Sequence, residues 1–424
     1  MPLMPLTLLL ALLSWRLPAL LYGQTPPFIP VLALTFLPIV VDLFARLVII
    51  RRPLRVSPSG TLWGGTFVAL FAIASARSDL ISGGALIITL AQLTVMLYCA
   101  AIMAGMTRER ALNDLYHAMG AFVLINLVLR FGLGMSGSGV VLYEQYGAAT
   151  LLSSLGVGST RVLFPLAGGL NNFAVTAGLV LAASLYQLVS RTAANQWVTV
   201  MYALGAFTAC LFVDSRAALA LAAVPAALAW MASWRRINVK PFVATAACAV
   251  ALLIPWLYVA VGQLLGGLTW LQSFARNPDD LTTLSNRAYI WSDTTAYLLE
   301  HSSEALVGWG AYGQTLTGVV YMYANRLSSF ANIEFTSVHN SLLQLVYDMG
   351  VLGTGGVLLV LYRTIASSRG MEFALALYIV LAGITEATIG PFNLEVLLVM
   401  TVLTTLTGIA RTHWREQPSA LPTA

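Results

Sequence analysis

Residues 242–266 read FVATAACAVALLIPWLYVAVGQLLG, from Phe242 to Gly266, without one Asp, Glu, Lys or Arg. About 20 apolar residues in a helix cross the hydrocarbon of a bilayer, so this stretch is long enough to span one. Working outward on hydropathy and helix breakers gives spans at 3–22, 28–50, 61–77, 82–105, 115–134 and 162–189. The second half gives 197–213, 217–234, 242–266, 341–362, 372–389 and 392–410, with 61–77 and 217–234 short.

The composition agrees: 58% of the 424 residues are hydrophobic and 9% charged, with a mean hydropathy of +0.82. A soluble globular protein carries about 25% charged residues. Soluble enzymes, secreted disulfide scaffolds and nucleic-acid binders are therefore excluded. What remains is an all-α polytopic membrane protein of about 12 transmembrane helices, a single membrane domain over residues 1–424. Cys99, Cys210 and Cys248 lie in apolar stretches without CxxC spacing and read as small buried hydrophobes. The first 22 residues lack a charged n-region and carry Arg16 and Pro18 late, which favours a retained membrane helix over a signal peptide.

Orientation follows from the basic residues, which concentrate in cytoplasmic loops. With both termini cytoplasmic, the inner loops collect Arg51, Arg52, Arg55, Arg108, Arg110, Arg191, Arg235, Arg236, Lys240, Arg363, Arg369, Arg411 and Arg415. The outer segments hold only Arg77, Arg161, Arg216, Arg276, Arg287 and Arg326. The reverse threading puts three arginine clusters outside. Two outer segments are long, 135–160 and the loop 267–340 between spans nine and ten, and loops of such length are usually functional. Leu284–Glu300 within the second reads as an amphipathic helix with Ile290, Trp291 and Leu298 on its apolar side. Chemistry is expected at this outer, periplasmic face.

Where the long loop re-enters the membrane, Asn340, Gln344 and Asp348 recur every four residues and form a polar stripe beside His339, followed by Gly350 and Gly353. Such a stripe must face protein or a water-filled cavity. It reads either as a hydrogen-bonded packing face or as a catalytic histidine with neighbours that orient it. An imidazole titrates near neutral pH and can take a proton from a sugar hydroxyl. Arg216, in Asp214-Ser215-Arg216, and Arg287, in Asn286-Arg287, carry guanidinium forks that match phosphate oxygens. Ion pairs with Asp214 and Asp293 are the rival readings. Tyr289 and Trp291 follow Arg287 as candidate sugar-binding aromatics. Gly308-Trp309-Gly310-Ala311-Tyr312-Gly313 lacks the strand–helix context and lysine of a nucleotide loop, and reads as a tight turn that lets backbone approach a ligand or helix.

Asn171 and Asn172, after Pro165 and Gly168-Gly169, offer amides for sugar hydroxyls or for packing. Asp42 and Arg46 read as a local helix pair. His117 lies near the inner end of its span. Glu386 and Glu395 flank the turn at Pro391-Phe392-Asn393 and are expected to face the cavity of His339. Arg130, Arg161 and Arg326 are further charges whose place only folded geometry decides. No metal-ligand spacing occurs at the outer face, so neither a metal nor a cofactor is indicated.

The run His339-Asn340-x-x-Leu343-Gln344-x-x-x-Asp348-x-Gly350-x-x-Gly353 resembles the signature of the O-antigen ligase and polymerase superfamily of membrane glycosyltransferases. Ser215-Arg216, Asn286-Arg287 with Trp291, and Gly308-Trp309-Gly310 agree in order. Asp348 stands where the superfamily more often has glutamate. The resemblance implies a C-type, inverting, metal-independent enzyme that uses an undecaprenyl-diphosphate-linked glycan at the periplasmic face of the inner membrane. On that resemblance His339, Arg216 and Arg287 are the expected catalytic residues, and Asn340 and Gln344 orient the histidine or the sugar. One dominant outer loop late in the chain is the arrangement of ligases, which join O-antigen to the lipid A–core oligosaccharide. A polymerase, a protein O-oligosaccharyltransferase and, from another class, a lipid-linked sugar transporter are the alternatives. Partners are then the lipid-linked donor, lipid A–core and membrane lipids, with no nucleic acid.

Overall fold

The computed structural model describes residues 3–23, 26–50, 57–137, 150, 152, 161–234, 239–267, 287–324 and 337–409. Arg51, Arg52, Arg55, Arg235, Arg236, Arg276, Leu284, Asn286, Arg326, Arg411 and Arg415 lie outside these residues, as do 138–149, 268–286 and 325–336.

Among the described residues nine long helices come first: α1 (Leu3–Tyr22), α2 (Phe28–Phe44), α3 (Pro58–Ala76), α4 (Gly83–Ala104), α5 (Arg108–Leu127), α6 (Leu170–Ser190), α7 (Gln196–Val213), α8 (Arg216–Trp234) and α9 (Lys240–Gly266). Four short ones follow in the long connection: α10 (Arg287–Glu300), α11 (Ser302–Ala305), α12 (Gly313–Leu316) and α13 (Val319–Ala324). The chain returns through α14 (Ser341–Ser367), α15 (Met371–Ala382) and α16 (Leu394–Ile409). Among the described residues there is no strand, and ten helices are long and apolar enough to cross a membrane. The protein is an all-α, multi-pass membrane protein.

These runs are helical because a helix satisfies every backbone amide and carbonyl within itself, as a hydrocarbon solvent requires. Short links then turn the chain back. Arg191 and Asp214 adopt left-handed conformations (φ of 56° and 59°) that end α6 and α7, and the Asn195 side chain accepts from Trp197 N and Val198 N to start α7. α6 lies at the centre, with 78% of its apolar window buried, whereas α9 has 22% buried. The outer apolar side chains, such as Phe44, Trp197 and Phe242, are exposed as lipid-facing residues are.

Several boundaries differ from the sequence expectation. The fifth helix starts at Arg108 instead of 115, because polar helix continues past the hydrocarbon where hydropathy stops. The sixth starts at Leu170 instead of 162, since Pro165 and Gly168-Gly169 hold 161–169 in irregular backbone. The expected spans 372–389 and 392–410 are the shorter α15 and α16, and 383–393 between them is a folded connection. The short spans expected at 61–77 and 217–234 are instead full 19-residue helices.

Expected local features are present. Arg46 Nε lies 2.6 Å from Asp42 Oδ2, and Tyr98 and Thr7 hydroxyls also donate to Asp42. The three cysteines are free, with Cys99 and Cys210 buried. Ile290, Trp291 and Leu298 are the buried face of α10.

Candidate active site

His339 stands immediately before α14, and its place follows from how that helix begins. Asn340 is the N-cap: its Oδ1 accepts from Leu343 N at 2.9 Å, while Nδ2 donates to Ile384 O at 3.0 Å and Ala251 O at 3.3 Å. The next residue fixes the 383–393 connection. Ser341 N donates to Gly383 O at 2.7 Å, and Ser341 Oγ donates to Glu386 O at 2.9 Å and accepts from Thr388 N at 2.8 Å. Residues far apart in the chain are thereby registered to one another. Glu386 then comes to His339: His339 Nδ1 lies 3.0 Å from Glu386 Oε2. Arg287, at the start of α10, closes the group by donating to Glu386 Oε1 through Nη2 and to Thr385 O through Nε at 2.8 Å.

The backbone ahead of the histidine is held as firmly. Trp291 Nε1 donates to Val338 O at 3.0 Å, and Val338 N donates to Gln344 Oε1 at 3.2 Å. Gln344 Nε2 continues to Asp348 Oδ1 at 2.9 Å and Gln314 Oε1 at 2.7 Å. These bonds hold His339 at a φ of 52°, in the left-handed region that residues other than glycine rarely occupy. Such a conformation costs about 1 kcal/mol or more and persists only where its surroundings fix it. The imidazole remains reachable, with 22% of the side chain exposed, against 15% for Glu386.

Electrostatics keep Glu386 charged. Burial alone pushes its carboxyl up, but the Arg287 guanidinium, and after it His339, more than offset this and hold it down at about 2. An anionic Glu386 is an acceptor only, so it selects the imidazole form with hydrogen on Nδ1. In the neutral ring of that form, Nε2 carries the lone pair.

The glycine-rich turn approaches a helix. α14 breaks at Gly350 (φ 71°, ψ 178°), which releases the carbonyls of Tyr347 and Asp348 from their helical partners. Trp309 N and Gly310 N donate to these carbonyls at 2.8 and 3.0 Å, and Leu352 N donates to Leu306 O at 3.2 Å. A Cβ at Gly308 (φ 75°) would fall on Gly350 N and within 2.9 Å of Met349 N. The turn docks at the break, and Gly313 N adds a bond to Asp348 Oδ1 at 3.2 Å.

Of the residues singled out from the sequence, the fold brings together His339, Arg287 and Glu386 and supports them with Asn340, Gln344 and Trp291. Asn340, Gln344 and Trp291 are 0%, 1% and 0% exposed and spend their polar atoms on the protein. Their hydrogen bonds hold the backbone on both sides of His339, the arrangement of groups that orient the histidine. Tyr289 is exposed on the first turn of α10. Arg287 joins Glu386 in the ion pair for which Asp293 was the expected rival partner. Arg216 begins α8 with Nε 3.8 Å from Asp214 Oδ1, the ion pair foreseen for it. Asn172 Nδ2 donates to Phe392 O at 2.5 Å and Asn171 Oδ1 accepts from Arg161 Nη2 at 3.5 Å, so both amides pack the 161–172 segment. Glu395 takes a two-point ion pair from Arg16, at 2.6 and 2.7 Å, and is not among the partners of His339. Gln314, Ser341 and Thr388 support the site without any sequence signal beyond residue type.

Beside the site an apolar cavity of about 330 Å³ opens between α9, α10 and α14, lined by Leu252, Trp256, Leu298, Leu342, Val346 and Leu358 among others. Among the described residues no group of three or more His, Cys, Asp or Glu could hold a metal ion.

Residues 201–360 match the family model described as O-antigen ligase. No curated protein and no solved structure matches the chain.

Proposed function

We propose that the protein is an O-antigen ligase, a reading supported by the match of residues 201–360 to the family model of that description. On this reading it is a membrane glycosyltransferase acting on lipid-linked glycans. In the proposed reaction, O-antigen passes from undecaprenyl diphosphate to lipid A–core oligosaccharide. The reaction takes place at the periplasmic face of the bacterial inner membrane, with both termini cytoplasmic.

The observation that carries this reading is the Arg287–Glu386–His339 group. Glu386 holds Nδ1–H, and His339 Nε2 takes the proton of the acceptor hydroxyl. The freed oxygen forms a bond to the anomeric carbon from the face opposite the leaving group, inverting it. The bond from that carbon to phosphate breaks, and undecaprenyl diphosphate leaves with the electron pair. Arg287 and Arg216 stabilise the charge that develops on the diphosphate. No step calls on a metal. The apolar cavity beside Leu342 supports this placement, since it offers the polyprenyl tail a path between helices.

The test combines purified protein in detergent with undecaprenyl-diphosphate-linked O-antigen and lipid A–core, with and without EDTA, and resolves products on a gel. Capped lipopolysaccharide that survives EDTA is the expected result. Longer lipid-linked glycan without capping identifies a polymerase, and transfer only to a pilin-like protein identifies a protein glycosyltransferase. Full activity in His339→Ala at normal abundance overturns the base assignment.

A further inference from the structure

A second cavity lies at the other end of the bundle from His339. It has a volume of about 810 Å³ and opens where α5, α9 and α15 begin and α6 and α8 end. Three cations line it, Arg108, Lys240 and Arg369, against one lining acid, Glu109. Arg108 is matched, since it forms an ion pair with the fully buried Glu372. Lys240 Nζ donates to Ser368 O at 3.2 Å, and among the described residues neither Lys240 nor Arg369 has an ion-pair partner. The cavity therefore carries uncompensated positive charge.

Two further features give that charge a chemical meaning. Three helices present their N-termini here, at Arg108, Lys240 and Met371, and helix N-termini carry partial positive charge that favours anions. The deeper wall is apolar, with Leu112, Met371 and Phe373. A cationic mouth at the level of the helix ends above an apolar wall matches a molecule with an anionic head and acyl chains.

We propose that this cavity binds the phosphate head of an anionic phospholipid, with Lys240 and Arg369 contacting the phosphate and the acyl chains lying against Leu112 and Phe373. The site stands at the opposite end from the glycosyl-transfer group and is independent of what that group transfers.

The experiment is native mass spectrometry and thermal melting of the full-length protein in detergent. Phosphatidylglycerol, phosphatidylcholine and inorganic phosphate are added separately. Phosphatidylglycerol is expected to be retained and to raise the melting temperature, while phosphatidylcholine and phosphate are not. The double variant Lys240→Gln, Arg369→Gln should bind phosphatidylglycerol about 30-fold more weakly, the loss expected for two basic groups facing an anionic lipid. Arg110→Gln, which removes a charge from the same end without touching the cavity, should bind as the unaltered protein does. Arg369→Gln alone, an exposed position, provides a weaker-binding variant whose folding is not at risk. Equal binding of phosphatidylglycerol and phosphatidylcholine, or undiminished binding by the Lys240 and Arg369 variants, overturns the proposal. Stabilisation by inorganic phosphate equal to that by phosphatidylglycerol overturns the lipid as the source and assigns the cavity to a soluble phosphate.

Discussion

Asn340 Nδ2 donates to the carbonyl of Ala251 at 3.3 Å. That acceptor is open because Pro255, one turn further along α9, has no amide hydrogen to offer it. A proline inside a membrane helix thus supplies the anchor for the residue that follows His339. Through it, and through Ile384, Asn340 ties three separate segments together.

Asn340→Asp separates the two jobs of this side chain. The aspartate keeps the N-cap acceptor for Leu343 N but has no hydrogen for Ala251 or Ile384. Turnover should fall about tenfold or more, while the helix cap, worth about 1 kcal/mol, is retained. Asn340→Ala loses the cap as well and should melt earlier than Asn340→Asp. Initial rates per folded molecule, set beside melting curves, check both.

Glu386→Gln gives a pH test with a definite sign. The carboxyl is held at about 2, below its ordinary 4.5. Its contribution to stability is therefore fully present above about 4.5 and is lost as pH falls through about 2. At pH 7 the glutamine variant should melt below the unaltered protein. The gap between them should narrow as pH drops from 4.5 towards 2, and a constant gap would contradict the assignment. Activity should fall at least about 100-fold at every pH, because Nδ1 loses its anionic partner.

Gly308→Ala places a Cβ on the Gly350 backbone and forces a φ of 75° on alanine. It should destabilise by about 2 kcal/mol or more. Gly355→Ala is the control: a Cβ there meets nothing within 4 Å, so the substitution should be neutral or stabilise by up to about 1 kcal/mol. Melting temperatures of the pair in one detergent make the comparison.

Arg16→Met and Glu395→Leu singly leave a buried charge without its partner, and each should cost about 3–5 kcal/mol. Made together they remove both charges and should recover most of that loss. Turnover per folded molecule should stay near normal throughout, since the bonds of this pair reach neither His339 nor Glu386 nor Arg287. A collapse of turnover in the stable double variant would return Glu395 to the active site.

Much of this was legible beforehand. Long apolar runs announce spans because hydrocarbon tolerates little else, and the pattern of Ile290, Trp291 and Leu298 announced α10. Gly350 and Gly353 both follow the polar stripe, and only the fold puts the break at Gly350. The pairing of His339 with Glu386 is only partly visible in the sequence: Glu386 stands near an outer turn, but 47 positions separate it from His339 and no periodicity links them. The same reasoning applied equally to Glu395, which the fold gives to Arg16. Asn340, Gln344 and Trp291 are residue types that suit a sugar and a protein carbonyl alike, and only burial distinguishes the two. The 383–393 connection was hidden because Ile384, Ala387 and Ile389 extend the apolar run of α15 past its end at Ala382.

The break in α14 also limits how this protein could be recombined with its kin. Trp309 N, Gly310 N and Leu352 N complete hydrogen bonds that neither the 306–313 turn nor the 347–353 segment can satisfy internally. The two segments are therefore one inheritable unit. A chimera that takes the turn from one parent and the helix from another would break three backbone bonds at once, whereas a crossover in the α5–α6 region leaves that unit whole.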